Sequence, residues 1–207
     1  MIFTKKQSQI LSDIILHRRD VRGNNFLSKK IKKKDITAIL NAGIHAPSVG
    51  FSQPWKFVVV EDKKIRNTIC NNFKKSYEKS KKHFKERELY TELKLEGIKE
   101  TPINIAVFYK KPTKKVLGQT SSQKMGEYSV VCAIQNMWLY ARSLNIGIGW
   151  VSIINHKKVQ KILNVDDEYK LIGYLCVGYT KQFLDIPELE TLQWEKKKEF
   201  EEVVSWV

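Results

Sequence analysis

The stretch 125–145, MGEYSVVCAIQNMWLYARSLN, constrains the fold most, because it is apolar almost all the way round a helix. An ordinary surface helix carries one apolar stripe. A helix without a polar face belongs in the centre of a domain or at a subunit interface. It is also too long and too apolar to be a routine crossover between parallel strands, which argues for an α+β layout built round a helix.

The neighbouring segments fit that layout. Residues 5–17 place Ile10, Leu11, Ile14 and Ile15 at helical spacing. Residues 35–46 place Ile36, Ile39, Leu40 and Ile44 on one face, with Asp35 as the expected N-cap and Pro47 as the stop. Residues 56–62 read as a buried strand, 63–75 as a helix and 104–110 as a strand. After the long helix come a short strand or strand edge at 150–154, a short helix at 156–163 and a strand at 169–180, the last expected to be central. The charged segment 76–100 reads either as a solvated surface helix or as a mobile lid. The order α-α-β-α-α-β-α-β-α-β predicts one domain over 1–207. The tail, with Trp194 and Trp206 but little core of its own, predicts packing on a partner subunit.

Charge and cysteine usage limit the function. The chain has 37 Lys and Arg against 22 Asp and Glu, a net charge of +15, which invites an anionic partner. The lysines are dispersed and interrupted by acidic residues, so most read as solvated faces. No recognition helix or aromatic-interleaved basic stripe supports nucleic-acid binding. Cys70, Cys132 and Cys176 form no C-x-x-C pair; Cys132 and Cys176 lie in apolar runs and read as small buried hydrophobes, as in a reducing compartment. The histidines lack ligand spacing, so no metal site is expected. The first residues lack a signal-peptide core, and no apolar run reaches membrane length; a cytoplasmic protein without a membrane span is expected.

Three constellations could carry chemistry. Arg18, Arg19 and Arg22 crowd guanidinium groups round Asp20. Such a cluster either grips an anion or a flat carbonyl edge, or is an exposed helix end with local Arg–Asp pairs. The loop APSVGFSQPW at 46–55 offers Ser48, Gly50, Ser52 and backbone N–H groups, with Phe51 and Trp55 as apolar walls; it is either a heterocycle or phosphate site or a plain helix–strand connection. The stretch GIGWVS at 147–152 has two glycines but Ser152 where a dinucleotide fingerprint needs a third, and it follows a helix, not a strand. Ser152 then reads either as a hydroxyl presented at a strand end or as an incidental edge serine.

Taken together, RRDVR, APSVGFSQPW, CAIQNMWLYAR and GIGWVSI resemble, in that order, the motifs of the nitroreductase-like flavoenzymes, and most closely the branch that forms 5,6-dimethylbenzimidazole. The resemblance covers about residues 10 to 204. Ordinary nitroreductases place Ser where Asp20 stands and carry Asn in the second loop.

The resemblance implies a fold, a ligand and a reaction. The fold would be α+β with a central mixed or antiparallel sheet, in a domain-exchanged homodimer with FMN at the subunit interface. Arg18, Arg19 and Arg22 would bind the FMN phosphate and ring edge, with Asp20 and Val21 in the same stretch along the cofactor, and Ser48, Gly50 and Ser52 would line the flavin. Reduced FMN would be the substrate, fragmented with O2 to 5,6-dimethylbenzimidazole, the lower ligand of vitamin B12, and erythrose 4-phosphate. Asp20 would remove hydrogen from ribityl C1′, and Ser152 would hydrogen-bond near flavin N5. A flavin reductase would supply the reduced FMN, and segment 76–100 gains weight as a lid. Relatives tend to carry Arg near the C-terminus where this chain has Lys197, which can meet phosphate only as a point charge. The alternative on the same fold is an NAD(P)H-dependent nitroreductase or flavin reductase that keeps its FMN.

Overall fold

The computed structural model describes all 207 residues. The elements are α1 (Lys5–His17), α2 (Lys33–Ile44), β1 (Trp55–Val60), α3 (Lys63–Ser80), α4 (Leu89–Glu92), β2 (Ile103–Lys110), α5 (Met125–Ser143), β3 (Ile146–Val151), α6 (His156–Ile162), β4 (Tyr169–Tyr179), α7 (Glu188–Thr191) and α8 (Phe200–Val203). The strands form one sheet in the order β1-β2-β4-β3, and every ladder is antiparallel. β4 is central, as its apolar run predicts.

Strand alternation divides the core in two. On one face Ile103, Ile105 and Val107 of β2 pack with Leu175 and Val177 of β4 against Ile36 and Ile39 of α2 and Val130, Ile134 and Met137 of α5. On the other, Ala106, Phe108, Tyr174 and Cys176 pack against Ile69, Cys70 and Phe73 of α3 and Val159 of α6. A register shift between Val107 and Phe108 lets both strands keep these faces.

The long helix is buried on one side only, which meets the expectation of a place in the domain centre. Its inner face is buried, while Tyr128, Val131 and Tyr140 on the outer face stay 51%, 40% and 41% exposed. α1 has a Thr4–Gln7 capping box but no buried residue; Ile10, Leu11, Ile15 and Leu16 are each more than half exposed. A 13-residue helix gains little from propensity alone and needs a packed face. No helix is long and apolar enough to cross a membrane.

Several local readings need correction. Cys132 is exposed on the outer face of α5, because that face has nothing to cover it within one chain. Asp35 lies inside the first turn of α2, whose N-cap is Lys32, so it favours the helix through the dipole and not as a cap. β1 is an edge strand, half-buried over Trp55–Val58, exposed at Val59 and buried only at Val60. β3 starts at Ile146, four residues before the predicted strand, because Gly147 and Gly149 belong to its ladder with β4. Segment 76–100 is not one surface helix: α3 runs on to Ser80, a 3-10 turn and α4 follow, and Tyr90, Glu96, Gly97 and Ile98 are buried.

Candidate active site

The Arg18–Arg22 segment owes its place to the open edge of β3. The chain leaves α1 with Arg18 extended, and Asp20 then forms a parallel bridge with Ile148. The Val21 N–H donates to the Ile148 carbonyl at 3.1 Å. Two residues thus extend the sheet beside β3. The close approach depends on missing side chains: a Cβ at Gly149 would stand 2.2 Å from the Val21 carbonyl oxygen, and one at Gly147 would stand 2.8 Å from Val21 Cγ2. The two glycines therefore make room for a docked segment, a different task from a dinucleotide turn.

Docking fixes Asp20. Its Oδ1 accepts the Trp150 N–H at 3.0 Å, and its Oδ2 meets Arg22 Nη2 at 2.5 Å. The Asp20 side chain remains 31% exposed and that of Arg22 15%. Burial pushes the Asp20 carboxyl above the ordinary carboxylate range, against the opposing pull of Arg22, the Trp150 N–H and Arg18. An ionised carboxylate has roughly four acceptor positions, so about two remain free for a ligand.

The other two arginines carry no carboxylate partner. The Arg18 guanidinium lies 4.8 Å from the centre of the Trp138 ring. Arg19 Nη1 donates to the carbonyls of Leu16 at 2.7 Å and Arg18 at 2.8 Å, and its Nη2 donates to that of Asp185. Arg19 Nε is buried without a partner. The local Arg–Asp pair read from the sequence is therefore real for Arg22, while Arg18 and Arg19 keep their charge available to an anion. Trp138, which donates from Nε1 to the Arg19 carbonyl at 3.2 Å, holds the segment from below.

These residues, with Asn24 and Asn25, line a cleft of about 180 Å³ whose opposite wall is the C-terminal stretch Gln182–Leu184 and Pro187–Leu189. Sequence reasoning missed that wall and Asn25, which grips it: Asn25 Nδ2 donates to the Gln182 carbonyl at 2.7 Å. The only signal was a polar, turn-like stretch, and nothing local showed that it faces the tail. The volume is below the roughly 300–1,000 Å³ of a complete small-molecule pocket. The donor set suits a phosphate: two guanidinium groups without a carboxylate partner, one of them with an orphaned Nε–H.

The second loop is well built but stands elsewhere. Ser48 Oγ accepts the Gln53 N–H at 3.1 Å, and the Val49 N–H donates to Ser129 Oγ at 3.1 Å. Gly50, Phe51 and Gln53 have φ of 54°, 50° and 45°, so the tip is held in left-handed backbone. A Cβ at Gly50 would stand 2.7 Å from the Leu117 carbonyl oxygen. Phe51 projects, 82% exposed, and Ser52 Oγ is buried without a partner. Trp55 packs against the core instead of forming a wall. Ser52 lines a separate basic cleft with Lys110, Lys114 and Lys115. The loop touches α5 at Ser129 and the arginine segment touches it at Trp138; at 1.5 Å per residue these points are about 13 Å apart.

Ser152 is the first residue beyond β3, exposed, two positions after the Trp150 that holds Asp20. Lys197 is exposed just before α8, away from the arginine cleft. The single chain thus brings Arg18, Arg19, Asp20, Val21 and Arg22 together with Ser152 close in sequence to their anchor, and leaves Ser48, Gly50, Ser52 and Lys197 apart.

The family model described as the nitroreductase family matches residues 15–179. A 5,6-dimethylbenzimidazole synthase of Rhodospirillum rubrum is 37% identical over 87% of this chain and 87% of its own length. A BluB-like flavoprotein of Clostridium difficile has a similar fold, with a TM-score of 0.72 at 21% identity over 95% of this chain and 98% of that one. An iodotyrosine deiodinase bound to FMN and 3-iodo-L-tyrosine superposes with a TM-score of 0.69 at 24% identity, over 95% of this chain and 98% of that one.

Proposed function

This chain belongs to the nitroreductase family, and from that membership we propose that it fragments reduced FMN with O2 to 5,6-dimethylbenzimidazole and erythrose 4-phosphate. The observation that carries this reading is Asp20, a carboxylate held by the Trp150 N–H and Arg22 in the wall of an arginine-lined cleft. A reductase that recycles its flavin has no use for a base beside the sugar-alcohol arm. A relative at 37% identity with the benzimidazole synthase name supports the same choice.

The reading includes a homodimer in which both subunits build each site. Its support is physical: the arginine segment and the second loop line different clefts in one chain, and the outer faces of α1 and α5 leave large apolar side chains uncovered. Arg18, Arg19 and Arg22 hold the phosphate and ring edge. Ser48, Gly50 and Ser52 line the flavin from the second loop, and Lys197 adds a point charge toward the phosphate from the tail.

Bound reduced FMN would supply electrons to oxygen and, from ribityl C1′, the carbon that ends between the two benzimidazole nitrogens. Asp20 accepts the proton from that carbon through its free lone pairs. Arg22 and the Trp150 N–H keep the carboxylate oriented. Ser152 donates a hydrogen bond near flavin N5, and segment 76–100 keeps water from the ring.

The direct test is mass analysis of products after mixing protein, FMN, a reductant and air. Benzimidazole should accumulate as FMN disappears; intact FMN with oxidised reductant would identify a nitroreductase or flavin reductase instead. A second test addresses Ser152. Ser152→Gly should divert the electrons of reduced flavin to hydrogen peroxide and lower benzimidazole yield about tenfold or more, the scale of one lost active-site donor. An unchanged ratio of benzimidazole to peroxide would remove Ser152 from the mechanism.

A further inference from the structure

The C-terminal tail, which walls the cleft, also touches segment 76–100. Trp194 tilts against Phe84 and Tyr90, with ring centres 5.7 and 6.0 Å away. The Arg87 guanidinium lies 4.4 Å from the centre of the Trp194 ring, and its Nη1 reaches the Trp194 carbonyl at 3.5 Å. Phe84 and Tyr90 stack at 4.3 Å. Tyr90 OH shares a hydrogen bond with Ser80 Oγ at 2.6 Å, and Tyr77 OH donates to the Tyr90 carbonyl at 2.8 Å. Trp194 thus plugs into an aromatic seat whose other members all come from residues 77–90.

Both partners in this contact are also tied to the candidate site. The tail forms the far wall of the cleft and is held by Arg19 at Asp185 and by Asn25 at Gln182. The root of the charged segment is held beside Arg22, where the Gly23 N–H donates to the Glu96 carbonyl at 2.9 Å and Gly97 packs against Phe26. Within the seat, residues 85–88 are exposed. The segment is anchored at α3 through Ser80 and at the Glu96–Gly97 root, and Trp194 closes the aromatic seat between these anchors.

We propose that Trp194 is a positioning residue, a latch that joins the tail wall of the arginine cleft to segment 77–90, so that filling the cleft and ordering this segment are one event. An anion drawn against Arg18 and Arg19 steadies the tail, and the latch passes that order to residues 84–90. For the identity of the anion this rests on the FMN reading above; the aromatic contact itself does not.

Hydrogen exchange of the full-length protein, with and without oxidised FMN, tests both parts separately. Without ligand, Trp194→Ala should speed exchange over residues 81–92 about tenfold, the combined effect of lost ring and cation–π contacts. The strands at 103–110 and 171–177 should stay protected, which reports an intact fold. Trp194→Phe should restore most of the protection. With FMN, wild type should gain protection in both 182–194 and 81–92, whereas Trp194→Ala should gain it only in 182–194. Equal exchange of 81–92 in wild type and Trp194→Ala without ligand would overturn the latch, whatever FMN does. Protection of 81–92 by FMN in Trp194→Ala would overturn the coupling. If FMN protects nothing in wild type, the coupling falls along with the FMN reading, while the ligand-free comparison still decides the latch.

Discussion

Replacing Asp20 with Asn is expected to abolish benzimidazole formation while leaving the protein folded and able to bind FMN. Asn retains an oxygen for the Trp150 N–H, the contact that holds the side chain against β3. What is lost is the negative charge facing Arg22, in a pair that keeps 15% and 31% side-chain exposure. The pair is mostly buried, so leaving Arg22 without its carboxylate costs some stability. The pKa points the opposite way. Burial raises the folded-state value, so folding favours the protonated carboxyl, and the stability this carries below the unfolded pKa is lost as pH rises through the raised pKa. The two effects oppose each other, so removing the charge should shift the melting temperature at neutral pH by only a few degrees.

The chemical effect is of another size. General-base catalysis contributes about 10²–10⁴-fold, and an amide cannot accept the proton. Product assayed by mass should fall by at least that lower factor, with FMN affinity within a few-fold of wild type. The pH profile adds a check. A base must be ionised, so wild-type rate should climb with pH through a midpoint above the ordinary carboxylate range, and the residual activity of Asp20→Asn should lack that limb. A variant that still makes benzimidazole at wild-type rate removes Asp20 as the base.

Gly149→Ala should have the largest effect on the site as a structure. The new Cβ would stand 2.2 Å from the Val21 carbonyl oxygen, far inside contact distance. That neighbour is backbone, so no rotamer relieves the clash. Either residues 20–21 leave the edge of β3 or the strand distorts. Overpacking of this kind costs about 1–3 kcal/mol; at roughly 2–4 °C per kcal/mol for a chain of this length, the melting temperature should fall by several degrees. FMN affinity should drop at least about tenfold, because Asp20 and the arginines lose their shared support. A thermal melt and an FMN titration measure both. Wild-type affinity in Gly149→Ala would show that ligand binding does not require the docked segment.

The periodicity of the chain disclosed its elements because period 3.6 and period 2 are local properties. The helices at 5–17 and 156–163 and the strands at 104–110 and 169–180 stand within one or two residues of their expected bounds. The arginine segment was legible for a related reason: like charges so close in sequence need an explanation in almost any fold. Where two surfaces had to meet, the reading weakened. Cys132 was read as buried from the apolar character of its run and Trp55 as a wall of the second loop, yet Cys132 faces outward and Trp55 packs against the core. The glycines of β3 looked like loop residues because Val21, the atom group they make room for, lies more than a hundred positions away.

By itself, the amino-acid order determined which segments become helices and strands and which side chains could grip an anion, and it raised the expectation of a long helix covered on more than one side. Only the tertiary structure decided that Asp20 rests on the amide of Trp150, that the tail walls the cleft, and that the two halves of the expected flavin site lie some 13 Å apart along α5 in one chain. The division has one cause: backbone propensity and side-chain period act over a few residues, whereas the meeting of edges, glycine gaps and aromatic seats depends on which distant surfaces exclude water together.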